Sequence, residues 1–126
     1  MNKLIVVLWA ILPFFAYSQA KHPVFEALSK SDASSLSNLL NAKVEYCYHG
    51  KIAYLDREDA TKAIKVFMET NPPKSVNALH KGASRTNESQ YQIAQYSSTN
   101  GKTFRVMIYS DSGSAAGIQE IKIDPQ

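Results

Sequence analysis

Asn71-Pro72-Pro73 divides this chain into two parts that cannot share one kind of backbone. Proline has no N–H to give a helix or an interior strand, and it pushes the residue before it out of the helical region. Upstream of the prolines, apolar residues recur every three or four positions. In the segment that begins at Asp56, Ala60, Ala63, Ile64, Phe67 and Met68 form one stripe, while Glu58 and Asp59 stand in the first turn. There the free amides and the helix dipole favour negative charge, with Asp56 as the cap. Downstream, the pattern alternates with period two. The chain therefore predicts helices, a short hairpin, a helix and then a four-stranded meander, an α+β layer packing rather than repeated βαβ units.

The earlier helical region runs from His22 to Leu40, with one stripe at Val24, Phe25 and Leu28 and a second at Leu36, Leu39 and Leu40. Pro23 suits a first turn. The polar stretch Ser29 to Ser37 predicts a break near Ser31 or Asp32, one of which caps a second short helix. Val44 to His49 then reads as a strand, with Val44, Tyr46 and Tyr48 on one face and Glu45, Cys47 and His49 on the other. Gly50 allows a turn into a partner strand, Lys51 to Leu55. Beyond the prolines, Val76 to Arg85, Tyr91 to Thr99, Lys102 to Tyr109 and Ile118 to Ile123 form an antiparallel meander. Its turns are Thr86 to Ser89, Asn100-Gly101 and the loop Asp111 to Gly117. Gly82, inside a strand, marks a bulge or bend.

The first 20 residues read separately. Lys3, the apolar run Leu4 to Ala16, and Ser18 and Ala20 match the three regions of a secretory signal cleaved after Ala20. The run is shorter than the ~20 apolar residues of a bilayer-spanning helix. No cysteine near the cleavage point offers a lipid anchor. The expectation is an exported protein, periplasmic or extracellular, with residues 21–126 as one domain and no membrane anchor once the leader is removed. Cys47 is the only cysteine, so no disulfide forms within the chain, and burial as an apolar residue is the expected role. The whole chain carries 14 Lys and Arg against 11 Asp and Glu. That balance is too weak and too evenly spread for a nucleic-acid partner.

Alternation also sorts the candidate site residues. Phe104, Val106 and Ile108 oppose Arg105, Met107 and Tyr109, and Gln119, Ile121 and Ile123 oppose Ile118, Glu120 and Lys122. The apolar set is the expected core, and the mixed set is expected to bring Arg105 near Glu120. Six tyrosines fall in strands, and Tyr46 with Tyr48, placed near His80, is the first pair expected to line a pocket. His80 is the candidate base or hydrogen-bond donor, with Glu120 or Glu45 as its acidic partner. The ligand-binding candidates are thus Tyr46, Tyr48, His80, Arg105, Tyr109 and Glu120; His80 and Glu120 are the catalytic ones. His22, His49 and His80 show no metal-ligand spacing, and the glycines at 50, 82, 101, 113 and 117 form no phosphate loop. Cys47 and His49 lie two residues apart with no orienting third group, so no metal, cofactor or thiol catalysis is expected.

Four stretches together carry a resemblance: Asn71-Pro72-Pro73-Lys74-Ser75; Leu79-His80-Lys81-Gly82-Ala83-Ser84; Asn100-Gly101-Lys102-Thr103-Phe104-Arg105-Val106; and Ile118-Gln119-Glu120-Ile121-Lys122-Ile123. With the Tyr91 strand between them, they resemble an uncharacterised family of small exported Bacteroidota proteins. That family, a domain of unknown function, is similar to the nuclear transport factor 2-like, or SnoaL-like, superfamily. The resemblance implies a cystatin-like cone: a curved antiparallel sheet packed on N-terminal helices, with a cavity between them. Enzymes of that superfamily use acidic residues with a tyrosine or arginine inside the cone, but their motif matches no set of positions here. The functional expectation is a non-catalytic exported domain that binds a small molecule or a protein. The alternatives are a structural homodimer formed through the open sheet face around Met107, Tyr109 and Ile118, and a cone enzyme built on His80.

Overall fold

The local signals that start and stop each helix are visible in the computed structural model, which describes residues 22–83, 90–110 and 116–126. The leader, the turn at 86–89 and most of the loop at 111–117 fall outside those residues, as does the side chain of His80. Helix α1 (Pro23–Ser29) starts with Pro23 in its first turn and His22 Nδ1 accepting from the Val24 N–H at 3.1 Å. It ends where Ser31 takes a left-handed φ of 53°. The Asp32 N–H then donates to the Ala27 carbonyl at 2.9 Å, and the Ser31 N–H donates to that of Leu28 at 3.2 Å. This is a Schellman closure with serine in the position glycine usually takes. Asp32 immediately caps α2 (Ala33–Leu39), its carboxylate accepting from the Ser35 N–H at 3.1 Å and the Ser35 hydroxyl at 2.7 Å. One aspartate thus closes the first helix and opens the second.

Strand β1 (Leu40–Tyr48) begins four residues before the expected Val44, directly at the end of α2. His49 and Gly50 both have positive φ, 53° and 82°, which makes the two-residue turn into β2 (Lys51–Asp56) match the twist of its strands. Asp56 caps α3 (Arg57–Thr70) by accepting from the Asp59 N–H at 2.9 Å. The prolines end α3 as expected, and β3 (Pro73–Ala83), β4 (Gln90–Ser98), β5 (Thr103–Ser110) and β6 (Ile118–Pro125) follow. At the turn between β4 and β5 only Gly101 is left-handed, with φ 90°. Its N–H donates to the Ser98 carbonyl at 3.1 Å, so the turn is a tight bend relieved by one glycine rather than a two-residue loop.

All six strands form one sheet in the order β2-β1-β6-β5-β4-β3. Four of its five pairings are antiparallel, as the meander and the first hairpin require. The fifth, β1 with β6, is parallel, so the sheet is mixed rather than wholly antiparallel. That junction joins the hairpin before α3 to the meander after it, and no adjacent turn dictates its direction. The bulge expected at Gly82 lies earlier: Ala78 pairs with Ala94 but His80 with Ile93, which leaves Leu79 as the extra residue that bends β3.

Helix α1 packs on β3 and α2, α2 packs on α3, and α3 packs on β1 and β2. The helices cover one sheet face only. Phe104, Val106 and Ile108 of β5 and Ile121 and Ile123 of β6 point into that layer, as alternation predicted. They meet Val24, Phe25, Leu28, Leu36, Ile64 and Phe67 from the helices. Ile118 was expected on the opposite, open face but is 1 % exposed and belongs to the core. The register between β1 and β6 shifts after the Leu40–Ile118 pair, so strict alternation does not hold from Ile118 to Ile121. Cys47 is free and buried, as expected of a small apolar residue.

Candidate functional site

Inside the cone, the space that could have been a cavity is filled by aromatic rings. Phe67 of α3 lies 4.9 Å, centroid to centroid, from both Tyr96 and Phe104, and 6.0 Å from Tyr48. Tyr96 is fully buried and donates from its hydroxyl to the Asn71 carbonyl at 2.5 Å. Burial alone holds that phenol well above the usual tyrosine range. The same corner is knitted together by the end of α3 and the turn between β4 and β5. The Ser98 hydroxyl donates to the Pro72 carbonyl at 2.9 Å, and the Asn100 amide donates to Asn71 Oδ1 at 2.9 Å. Two signals read from the sequence, the helix stop at Asn-Pro-Pro and the hairpin turn at Asn-Gly, therefore meet in space and brace the mouth of the cone.

Two clefts flank this brace, and Tyr48, Thr70 and Asn71 line both. The first, of about 240 Å³, lies between Tyr46 and Tyr48 on β1 and Ala63, Val66 and Phe67 on α3. The second, of about 500 Å³, adds Lys102, Thr103, Phe104 and Gln126. Tyr46 and Tyr48 share the inner face two residues apart, the pairing that alternation predicted. Burial, then the neighbouring Tyr48 and Cys47, push the Tyr46 phenol up to about 12, so at neutral pH it is a proton-bearing donor. Val66, 59 % exposed, Thr70 and Lys102 were not among the residues singled out from sequence. Val66 and Thr70 continue from Ala63 at helical spacing, which is the one signal that pointed to them.

The remaining candidates lie elsewhere. His80 sits on β3 at one edge of the sheet, with β4, β5 and β6 between it and β1, so it does not stand beside Tyr46 and Tyr48. Glu120 and Arg105 face away from the helices, on the open side. They do not meet: Arg105 is opposite Asp124, and Glu120 is opposite Tyr109. The four-residue offset between Glu120 and Asp124 amounts to about 13 Å along a strand. The acid that register sets across from Arg105 is therefore Asp124 and not Glu120, because register depends on loop geometry that alternation does not encode. A cone enzyme needing Glu120 together with Tyr46 or Tyr48 has its two halves on opposite faces of the sheet.

Register arranges the open face in rows. One reads Tyr54, Glu45, Glu120, Tyr109, Tyr91 across β2, β1, β6, β5 and β4. The next reads Ile52, Cys47, Lys122, Met107, Ile93. A third begins Asp124, Arg105, Gln95. Glu45 and Glu120 are direct cross-strand partners, and Glu120 is shifted upward, first by desolvation and then by Glu45, against a lowering by Lys122. Among the described residues, no group of three metal-ligating side chains occurs. No helix among them is long and apolar enough to cross a membrane.

The family model for a domain of unknown function, DUF4783, matches residues 22–124. The chain belongs to the DUF4783 family. A DUF4783 protein from Bacteroides ovatus, 27 % identical, superimposes with a TM-score of 0.76 over 85 % of this chain and 96 % of its own. A second, from Bacteroides uniformis, is 22 % identical with a TM-score of 0.74, covering 86 % and 98 %. Further off, a protein of unknown function with a cystatin-like fold from Methylobium petroleophilum is 11 % identical with a TM-score of 0.63, covering 82 % and 70 %. DUF4783 thus has the α+β, nuclear transport factor 2-like architecture expected of it. No curated protein matches the chain.

Proposed function

We propose that this DUF4783 protein is an exported, non-catalytic binding domain that takes an amphipathic small molecule at the mouth of its cone. The observation that carries the reading is the junction at Tyr48, where two clefts meet beside a filled core. Together they fall in the size range of small-molecule sites, about 300–1,000 Å³. The cleft between Tyr46 and Val66 suits an apolar body, and Thr70, Lys102 and Thr103 in its neighbour suit a polar or anionic head. Tyr46, protonated at neutral pH, orients a ligand as a donor and does not take a proton from it. The acid and base candidates read from sequence do not converge on this cleft. Export rests on the leader at residues 1–20.

The test is native mass spectrometry of the processed protein, purified gently from the periplasm of a host that expresses the full chain. We expect a reproducible extra mass that Tyr48→Ala loses and the distant Tyr54→Ala keeps. A bare polypeptide in the unmodified protein, from several growth media, would rule the reading out. Recovery of the intact leader in the cytoplasm would remove the export half of it.

A further inference from the structure

Helices α2 and α3 pack side by side, and each carries a flank that the core does not use. On α2 it is Ala33, Ser34, Ser37 and Asn38; on α3 it is Arg57, Glu58, Thr61 and Lys62, continued by Lys65. Both sets run at i, i+1, i+4 and i+5, the spacing of one side of a helix. The two flanks wall a groove of about 700 Å³, larger than either cleft at Tyr48. It stays open because Ala33, Ser34 and Ser37, with Ala42 of β1, end too close to their backbones to fill it. On α3 the buried stripe Ala60, Ile64, Phe67 and Met68 separates this groove from the cleft lined by Ala63, Val66 and Thr70.

The two walls differ in chemistry. The α2 wall offers short hydroxyls and an amide, which donate and accept alike. The α3 wall offers Arg57, Lys62 and Lys65, and none of these is neutralised by an ion pair among the described residues, where the salt bridges are Lys30 with Glu26 and Lys122 with Asp124. The Arg57 guanidinium is already oriented: its Nε donates to the Leu40 carbonyl at 3.1 Å, which leaves its Nη donors for a ligand. Thr61 donates its hydroxyl to the Arg57 carbonyl at 2.8 Å and keeps its lone pairs to accept. Arg57, Thr61 and Lys65 follow one row of the helix, and the eight residues from first to last rise about 12 Å. Asp56 and Glu58 stand at the Arg57 end of the groove.

We propose that this groove binds an acidic oligosaccharide, a short chain of sugars that carries carboxylates at intervals. Its length suits cations set about 12 Å apart, and the volume lies within the range of small-molecule sites. Carboxylates on the chain meet Arg57 and Lys65, with Lys62 beside them, in charge-assisted hydrogen bonds. The hydroxyls between them meet Ser34, Ser37 and Asn38 on one wall, and donate to Thr61 and Glu58 on the other. That pattern separates the ligand from other anions. A polyphosphate or a nucleic acid, charged without interruption, would set negative groups against Asp56 and Glu58. An acidic peptide would bring apolar side chains to a groove that no aromatic or large apolar side chain lines among the described residues. The site shares no residue with the clefts at Tyr48 and does not depend on them.

Amide NMR titration of the isotope-labelled, processed protein with trigalacturonate tests the idea directly. Shifts are expected at residues 33–42 and 57–65. Maltotriose, of the same length but without carboxylates, is expected to bind at least about tenfold more weakly, since it forgoes the hydrogen bonds to charged groups. Lys65→Glu is expected to lower trigalacturonate affinity by about tenfold or more, and Arg57→Lys, which keeps the charge but loses the planar fork, by less. Ser37→Leu fills the groove and is expected to abolish binding. Lys51→Glu makes the same charge change at the far end of β2 and is expected to alter affinity little. Lys65 is exposed, so its variant tests the site even where Ser37→Leu disturbs the fold, and circular dichroism confirms that each variant is folded. No shifts with trigalacturonate, or shifts centred on Tyr46 and Tyr48 instead, overturn the proposal. So does maltotriose or tripolyphosphate binding as tightly, or an affinity indifferent to Lys65→Glu.

Discussion

The two faces of the sheet are built from the same strands in alternation, and they have opposite characters. On the helix side, Phe67, Tyr96 and Phe104 pack ring against ring, and the buried Tyr96 hydroxyl is consumed by the Asn71 carbonyl. On the other side, Tyr54 is 77 % exposed, Ile52 55 % and Tyr91 39 %, with two carboxylates side by side among them. Aromatic residues are therefore poor guides to function in this chain until their face is known. The buried ones fill the inside of the cone. Those at its rim and on the open face are the ones left to meet a ligand or a partner.

By that contrast, the largest effect comes from the ring at the centre of the packed side. Phe67→Ala should cost about 3–5 kcal/mol in urea unfolding, because the neighbouring rings cannot close the gap. Tyr96→Phe should cost about 1–3 kcal/mol, since it strips a buried carbonyl of its donor. Asp56→Ala removes the cap of α3 and should cost about 1 kcal/mol, a loss shared by neither face. At the small end, Tyr54→Ala should stay within about 0.5 kcal/mol. A Tyr54→Ala penalty comparable to that of Phe67→Ala would break the comparison outright.

Acid titration followed by NMR sharpens it further, with opposite signs at two carboxyls. Asp32, held by the Ser35 hydroxyl and N–H, should titrate below the ordinary aspartate range. Its folded-state pKa is depressed, so its capping contribution is present above the unfolded value and is lost as pH falls through the folded one. Glu120 is raised, by desolvation and then by Glu45, and should titrate above the ordinary range. There the folded state binds the proton more readily, so the charge opposes folding at neutral pH and that opposition is relieved as pH falls through the raised value. Replacing Glu45 with glutamine should bring the Glu120 midpoint back toward normal.

Much of the architecture was legible because it is set by contacts between near neighbours in the chain. Asp56 caps α3 as expected, Asp32 is the one of the two residues offered, Ser31 or Asp32, that caps α2, the prolines end α3, and Gly50 and Gly101 mark the hairpins. Alternation placed Tyr46 and Tyr48 on one face and Arg105 and Glu120 on the same open one. It could not say which residue stands opposite which. Arg105 faces Asp124 because of the length of the connection between β5 and β6, and Ile118 turns inward because the β1–β6 register shifts beside it.

By itself, then, the sequence determined the element order, the caps and turns, the two-faced character of the strands, and the kinship with the DUF4783 family. The first three follow from backbone sterics and from side-chain periodicity, which act within a few residues; the kinship rests on the resemblance of the quoted stretches. Only the tertiary structure decided the parallel β1–β6 junction, the filling of the cone by Phe67, Tyr96 and Phe104, and the separation of His80 from Tyr46 and Tyr48. Each of those depends on which distant strands lie side by side, and that is settled by how the helices and the sheet best bury their apolar faces against one another.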